Sequence, residues 1–340
     1  HNPEPSEDSH HKIQLYQNQV FVTDNVEGIV PEFSTLLRGV IDSPDIPLNV
    51  SRSALQADGN VKKISSYVIR KVADKLFDLF KKDRKEFETK WNDIDVFVKY
   101  GMLTEDKFYE KSTNFFLLQD VDEKFYTIEE YKELVKVNQE NKDKDQVWLY
   151  ASDKDEQYTY MEAARKREFN VLYMNEVIDA HFLNLLEQKL EKTRIKRIDA
   201  GSVDELIDKG EEKESVLSKE NQDSIIELFK SVVNDDKIIV KAEPHSPDDA
   251  AVVITEDEFM RRMGEMSKLG GGMPGMGAMP SMYNLVVNSN HSLAKKIVDT
   301  AEEDEKIKIV GQLVDLARLS KNILKGKDLN DFIERTMKFI

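Results

Sequence analysis

Apolar residues change rhythm several times along the chain. "KIQLYQNQVFVTD" (Lys12–Asp24) is rich in β-branched and aromatic residues with partial alternation, which predicts a strand or hairpin. "PEFSTLLRGV" (Pro31–Val40) opens on Pro and carries Leu36 and Leu37 on one side, the pattern of a short helix. "DSPDIPLNVSR" (Asp42–Arg52) is a loop constrained by Pro44 and Pro47, and Ser51 is placed to cap the helix after it. Val61, Ile64, Val68, Val72 and Leu76 then recur at three- and four-residue spacing, predicting one long amphipathic helix toward Trp91. Phe108, Tyr109, Phe115 and Phe116 mark a helical connector.

From about Phe125 to Asp199 the pattern alternates. "TIEEYKELVKV", "DEQYTYMEAARKREF" and "EVIDAHFLNLLEQKLE" read as helices; "VWLYA", "NVLYM" and "RIKRID" read as strands. That order predicts a small parallel sheet with right-handed crossovers. The acidic stretch after Gly201 is a boundary. Beyond it come a helix near Ser224–Val233, the strands "KIIVKAE", "AAVVIT" and "YNLVVN", and two closing helices. Ile309, Leu313 and Leu316 stripe the first; Leu329, Phe332, Ile333, Met337 and Ile340 stripe the second. Such a pair packs inward or against a second copy as a four-helix bundle.

Charge narrows the function classes. The chain has 340 residues, 40% apolar and 34% charged, with 49 Lys and Arg against 65 Asp and Glu and a formal net charge of −16. This argues against a general nucleic-acid binder and against docking on anionic lipid. The chain has no cysteine, so disulfides, thiolate metal sites and cysteine nucleophiles are out. No apolar stretch reaches the length of a membrane span. The opening "HNPEPSEDSHHK" reads as a disordered tail or tag remnant, and the strand pattern after it reads as joined in mid-domain, as in a piece of a longer chain.

Seven of the eleven methionines fall between Met260 and Met282, beside a glycine run. "GGGMPG" (Gly270–Gly275) fits the letters of a dinucleotide fingerprint. No strand precedes it, however, and Pro274 and Pro280 spoil a following helix, so nucleotide binding there is not expected. Thioethers suit Cu(I), but the segment has no His or Cys, and no metal is expected. Met260, Met263 and Met266 fit the buried face of a helix. The later methionines fit a loop made for adaptable apolar contact. The histidines suggest no catalytic triad. Arg52, with Gln56 one helical turn on, reads either as a surface residue or as an arginine offered to a phosphate bound elsewhere.

"VFVTDNVEGIVPEFSTLLRGVIDSPDIPLNVSRSALQ" strongly resembles the middle domain of the ninety-kilodalton heat-shock chaperones, the bacterial HtpG type in particular. The likeness continues through "WNDIDVFVKYGML", "LYASDKDEQ", "LEQKLEKTRIKRID" and "LVDLARL…FIERTMKFI", nearly the whole of Lys12–Ile340. It implies an α+β and α/β multidomain fold. Residues 1–11 would be a tail and 12–92 a truncated large α-β-α middle subdomain; 93–122 would be a helical connector and 123–200 a small parallel α/β subdomain. An acidic linker at 201–218 would lead to an α+β C-terminal domain at 219–340, ending in a helical bundle. It implies a cytoplasmic homodimer that binds unfolded client proteins, with no nucleic acid and no membrane as partner. ATP, with Mg, belongs in this family to an N-terminal domain whose sequence is not among these residues. The chain itself is expected to bind no cofactor and to be no enzyme.

Residue by residue, the resemblance makes Arg52 and Gln56 contacts to the ATP γ-phosphate, and Phe21 part of the surface where the ATPase domain docks. It makes Met260, Met263, Met266 and Leu269 client contacts, which Met273, Met276 and Met279 extend. Ile309, Leu313, Leu316, Leu329, Phe332, Ile333 and Met337 become the dimer interface. A second client contact of the family, often Glu-Trp, reads Ala180-His181 here and leaves Phe182 and Asn184 as the candidates. The chain ends at Ile340 without a Glu-Glu-Val-Asp tail, so tail-binding cochaperones are not expected. The rival reading is a dimeric scaffold without a client role.

Overall fold

The computed structural model describes residues 13–23, 39–44, 59–210, 213–258, 260–262 and 282–338. The chain divides into two compact units. The first holds residues up to Leu118 with Phe125–Tyr131 and Glu176–Leu185; the second holds Gln119–Lys124, Lys132–Asn175 and everything from Leu186 on.

In the first unit, β1 (Ile13–Gln17) and β2 (Val20–Thr23) form an antiparallel hairpin. Its two-residue turn, Asn18-Gln19, has positive φ at both positions, the geometry that matches strand twist. β3 (Gly39–Asp42) pairs parallel with β1, giving the order β2-β1-β3. Gly39 and Val40 are therefore strand and not the end of a helix. Pairing with β1 sets Ile41 beside Ile13 and Leu15, and this tertiary contact decides the conformation. Residues 31–38 lie outside the described residues.

The apolar stripe from Val61 to Trp91 forms two helices instead of one: α1 (Gly59–Lys82) and α2 (Arg84–Thr104). Asp83 between them is extended, with φ −153°, and its carboxylate accepts the Glu86 N–H at 3.0 Å as an N-cap. α3 (Asp106–Ser112) follows. The strands β4 (Leu117–Gln119) and β5 (Phe125–Thr127) come next, then α4 (Ile128–Val135). Phe87, Trp91, Phe115 and Phe116 build an aromatic core, with Trp91 edge-on to Phe116 at 5.3 Å between centroids.

The second unit contains the expected small parallel sheet. β6 (Gln146–Ala151) is central, flanked by β7 (Val171–Tyr173) and β8 (Thr193–Arg197). α5 (Tyr158–Arg165) joins β6 to β7, and α6 (Asp179–Lys189) joins β7 to β8. Val147, Leu149 and Ala151 pack with Tyr160, Met161 and Ala164 of α5. A short α7 (Val203–Leu206) is held by a reciprocal capping box between Ser202 and Glu205.

α8 (Lys219–Val233) starts on Ser218, whose hydroxyl accepts the Asn221 N–H, and stops at Asn234 in the left-handed region. A second sheet has β11 (Tyr283–Asn288) between β9 (Ile238–Glu243), parallel, and β10 (Val252–Glu256), antiparallel. α9 (Ser292–Asp299), α10 (Glu303–Ser320) and α11 (Gly326–Met337) complete the chain. Phe229, Ile254, Leu285, Val310 and Val314 lie at the centre of this core.

Candidate functional site

The methionine-rich segment is an excursion between neighbouring strands. β10 ends at Glu256, β11 begins at Tyr283, and these two residues are register partners. Residues 257–282 therefore leave the sheet and return to it across one strand pair. Of that stretch, residues 257, 258, 260–262 and 282 are described, and Glu258 and 260–262 are helical. Asp257 starts the turn: its carboxylate accepts the Met260 N–H at 3.0 Å and its carbonyl accepts the Arg261 N–H at 3.0 Å. Met260 is half-buried.

Two buried arginines fix this root. Arg261 donates to Glu258 Oε1 at 2.6 Å and to the Tyr150 hydroxyl. Arg262 donates from Nε to Glu258 Oε1, from Nη1 to Glu187 Oε2 and from Nη2 to the Ile195 carbonyl, each at 2.6 Å. Tyr150 also donates to Glu258 at 3.0 Å, and the Arg197 N–H donates to Glu258 Oε2 at 3.1 Å. Burial by itself would raise the Glu258 pKa. Arg261 and Arg262 outweigh it and hold the carboxyl below its usual range. Tyr150, buried beside that carboxylate, is pushed well above the usual phenol range by burial and then by Glu258.

A second ionic group stands next to the first. Arg197 donates to Asp199 at 2.5 and 3.0 Å and to Glu256, the last residue of β10, at 3.0 Å. Lys321, just past α10, donates to the same Asp199, and Gln157 adds a bond at 3.0 Å. Burial works against the Asp199 charge, but Arg197 and Lys321 prevail and lower its pKa to about 2. The segment's root, the small parallel sheet and the end of α10 thus share one buried polar network. None of these charged residues was singled out in the sequence. The available signal was the pair Arg261-Arg262 between two methionines, with Glu258 three and four residues before.

The other expected residues fall as follows. Phe21 is 53% exposed on the edge strand β2, edge-on to Tyr16 at 5.6 Å. Phe182, expected at a client contact, is fully buried and packs on Phe116 at 4.9 Å between centroids. A side chain so enclosed offers a client no surface, and it acts here as core. Asn184, on the same helix, is half-buried. Ile309 and Leu313 pack onto the core of the second sheet, and Phe332 is buried. Leu329 is half-buried, whereas Leu316, Ile333 and Met337 are exposed. Arg52, Gln56, Met263, Met266, Leu269, Met273, Met276 and Met279 lie outside the described residues. Among the described residues, no helix is long and apolar enough to cross a membrane.

A family model described as "Hsp90 protein" matches residues 3–339. The chaperone protein HtpG of Bacteroides thetaiotaomicron is 44% identical over 396 residues, covering 97% of this chain and 58% of that protein. HtpG of Porphyromonas gingivalis is 48% identical over 295 residues, covering 86% and 43%. HtpG of Clostridium botulinum is 26% identical over 339 residues, covering 95% and 51%. The chain spans about 58% of the length of the first of these relatives.

Proposed function

Because the chain belongs to the Hsp90 family and is similar to HtpG chaperones along most of its length, we propose that it serves as the client-holding and dimerising part of a chaperone of that type. The observation that carries this reading is the fixed root of the methionine-rich segment. A buried network of Arg261, Arg262, Glu258, Glu187 and Tyr150 secures one end of it, and the strand pair β10–β11 closes the other. The stretch so rooted carries Met263, Met266, Leu269, Met273, Met276 and Met279 in its sequence. Adaptable apolar side chains on a rigid base suit reversible contact with the exposed core residues of unfolded proteins. Each buried Met contributes at most roughly 1.5–3 kcal/mol. Several weak contacts, doubled by a second copy of the chain, give avidity without sequence specificity.

The dimer would use the exposed side chains of α10 and α11. ATP and Mg would bind to another domain of the whole chaperone, to which this chain would lend Arg52 and Gln56. The exposed Phe21 on β2 would meet that domain when it docks. The division into middle subdomains and a C-terminal domain beginning near residue 219 belongs to the same proposal, as does a cytoplasmic setting.

The experiment is aggregation suppression. The triple variant Met273→Ser, Met276→Ser, Met279→Ser is expected to lose most of the chain's ability to keep a heat-denatured client in solution while its melting temperature stays unchanged. Equal suppression by both proteins would leave a scaffold without a client role.

A further inference from the structure

In a chain of net charge −16, one groove is strongly basic. It has a volume of about 750 Å³ and lies against α1 and α3, where Lys62, Lys63, Arg70, Lys107 and Lys111 face a single lining carboxylate, Glu110. The spacing explains the concentration of charge. Lys62, Ser66 and Arg70 recur every four residues and so share one stripe of α1; Lys107 and Lys111 share one stripe of α3. Lys62, Lys63 and Lys107 make no ion pair among the described residues. Lys111 reaches Asp74 at 2.7 Å, and Asp74 reports the local field. Its carboxyl is held below the usual range first by that hydrogen bond and then by the charges of Lys111, Lys71 and Arg70, although it is in contact with water. Tyr67, 53% exposed, stands beside these cations, with the Arg70 guanidinium 5.4 Å and the Lys71 ammonium 5.5 Å from its ring centre.

The chemistry of the lining selects the ligand. From Lys63 to Arg70 the lining of α1 lies past the first turn, where backbone N–H groups bond to carbonyls four residues back, so there an anion is read by side chains. Four of the five cations are lysines, compact point charges that suit phosphate and have no fork to match a carboxylate. The basic stripe on α1 is about 12 Å long at a rise of 1.5 Å per residue. An extended acidic peptide would set the residues of one face two strand rises, roughly 6.6 Å, apart and would lose chain entropy on ordering. A long nucleic acid would be repelled by the chain's net negative charge. We propose that this groove binds a short chain of condensed phosphates, gripped by Lys62, Lys63, Arg70 and Lys107.

Calorimetric titration of the chain with inorganic tripolyphosphate tests this. Binding is expected at low salt and should weaken several-fold at physiological salt, as ion pairing requires. The variant Lys62→Glu with Lys107→Glu is expected to lose at least about tenfold in affinity. A charge-matched control, Lys219→Glu with Lys295→Glu, should stay close to the parent. The mutated lysines are exposed, and far-ultraviolet circular dichroism with the melting temperature checks that all three proteins are folded alike. Absence of heat at low salt overturns the proposal, and so do equal losses in the two double variants. An oligoglutamate of matched charge binding as tightly, or ATP binding about tenfold more tightly, would reassign the groove to an acidic segment or to a nucleotide.

Discussion

At Arg262 each guanidinium nitrogen has an acceptor: Glu258, Glu187 or the Ile195 carbonyl. Arg262→Met keeps much of the volume but leaves two half-buried carboxylates and a carbonyl short of a donor. It should cost about 2–3 kcal/mol, read as a lower urea midpoint, because Glu258 and Glu187 keep other donors; an unchanged midpoint would mean that the network does not hold the root. Asp199 makes a pH prediction. Its carboxyl titrates near 3.8 when unfolded and at about 2 when folded. A depressed folded pKa gives stability that is complete above the unfolded value and lost as pH falls through the folded one. About 2 kcal/mol should therefore disappear between roughly pH 4 and pH 2. Asp199→Asn, weaker at neutral pH, should show a flatter stability profile in that window.

At the break between α1 and α2, the side chain of Asp83 caps the second helix. Asp83→Ala removes the acceptor of the Glu86 N–H and should cost about 1 kcal/mol in thermal unfolding. This break also shows what a sequence does and does not reveal about elements. Val61 to Leu76 follow a helical period, and that much is legible. The stop at Asp83 is hidden, because the apolar stripe resumes in phase at Phe87 and Trp91. The strands of the small parallel sheet are legible because Val147, Leu149 and Val171 sit in short apolar runs between turn residues. β3 is not legible, since Gly39–Asp42 owes its extension to a partner in β1 that is far away in sequence. The candidate site divides in the same manner. Its methionines announce themselves by composition, whereas Tyr150, Glu187 and Arg197 reach it only through the fold.

At the scale of the molecule, α10 and α11 present Leu316, Leu319, Ile333 and Met337 to solvent at 43–65% exposure, while their other faces carry Val310, Val314 and Phe332 inward. A second copy is the proposed cover. Ile333→Glu with Met337→Glu should convert a dimer to a monomer by multi-angle light scattering, with little change in far-ultraviolet circular dichroism. A parent chain already monomeric at high concentration would sink the dimer. The pairing of Glu256 with Tyr283 has a further consequence. A sheet that fixes both ends of an insertion separates its length from the stability of the host. Doubling a loop between fixed ends adds only about 0.6 kcal/mol of closure entropy. The part of that stretch beyond Arg262 is therefore a length of chain that evolution or an engineer can lengthen, shorten or refill with other side chains while β10 and β11 keep their register and Glu258, Arg261 and Arg262 keep their bonds.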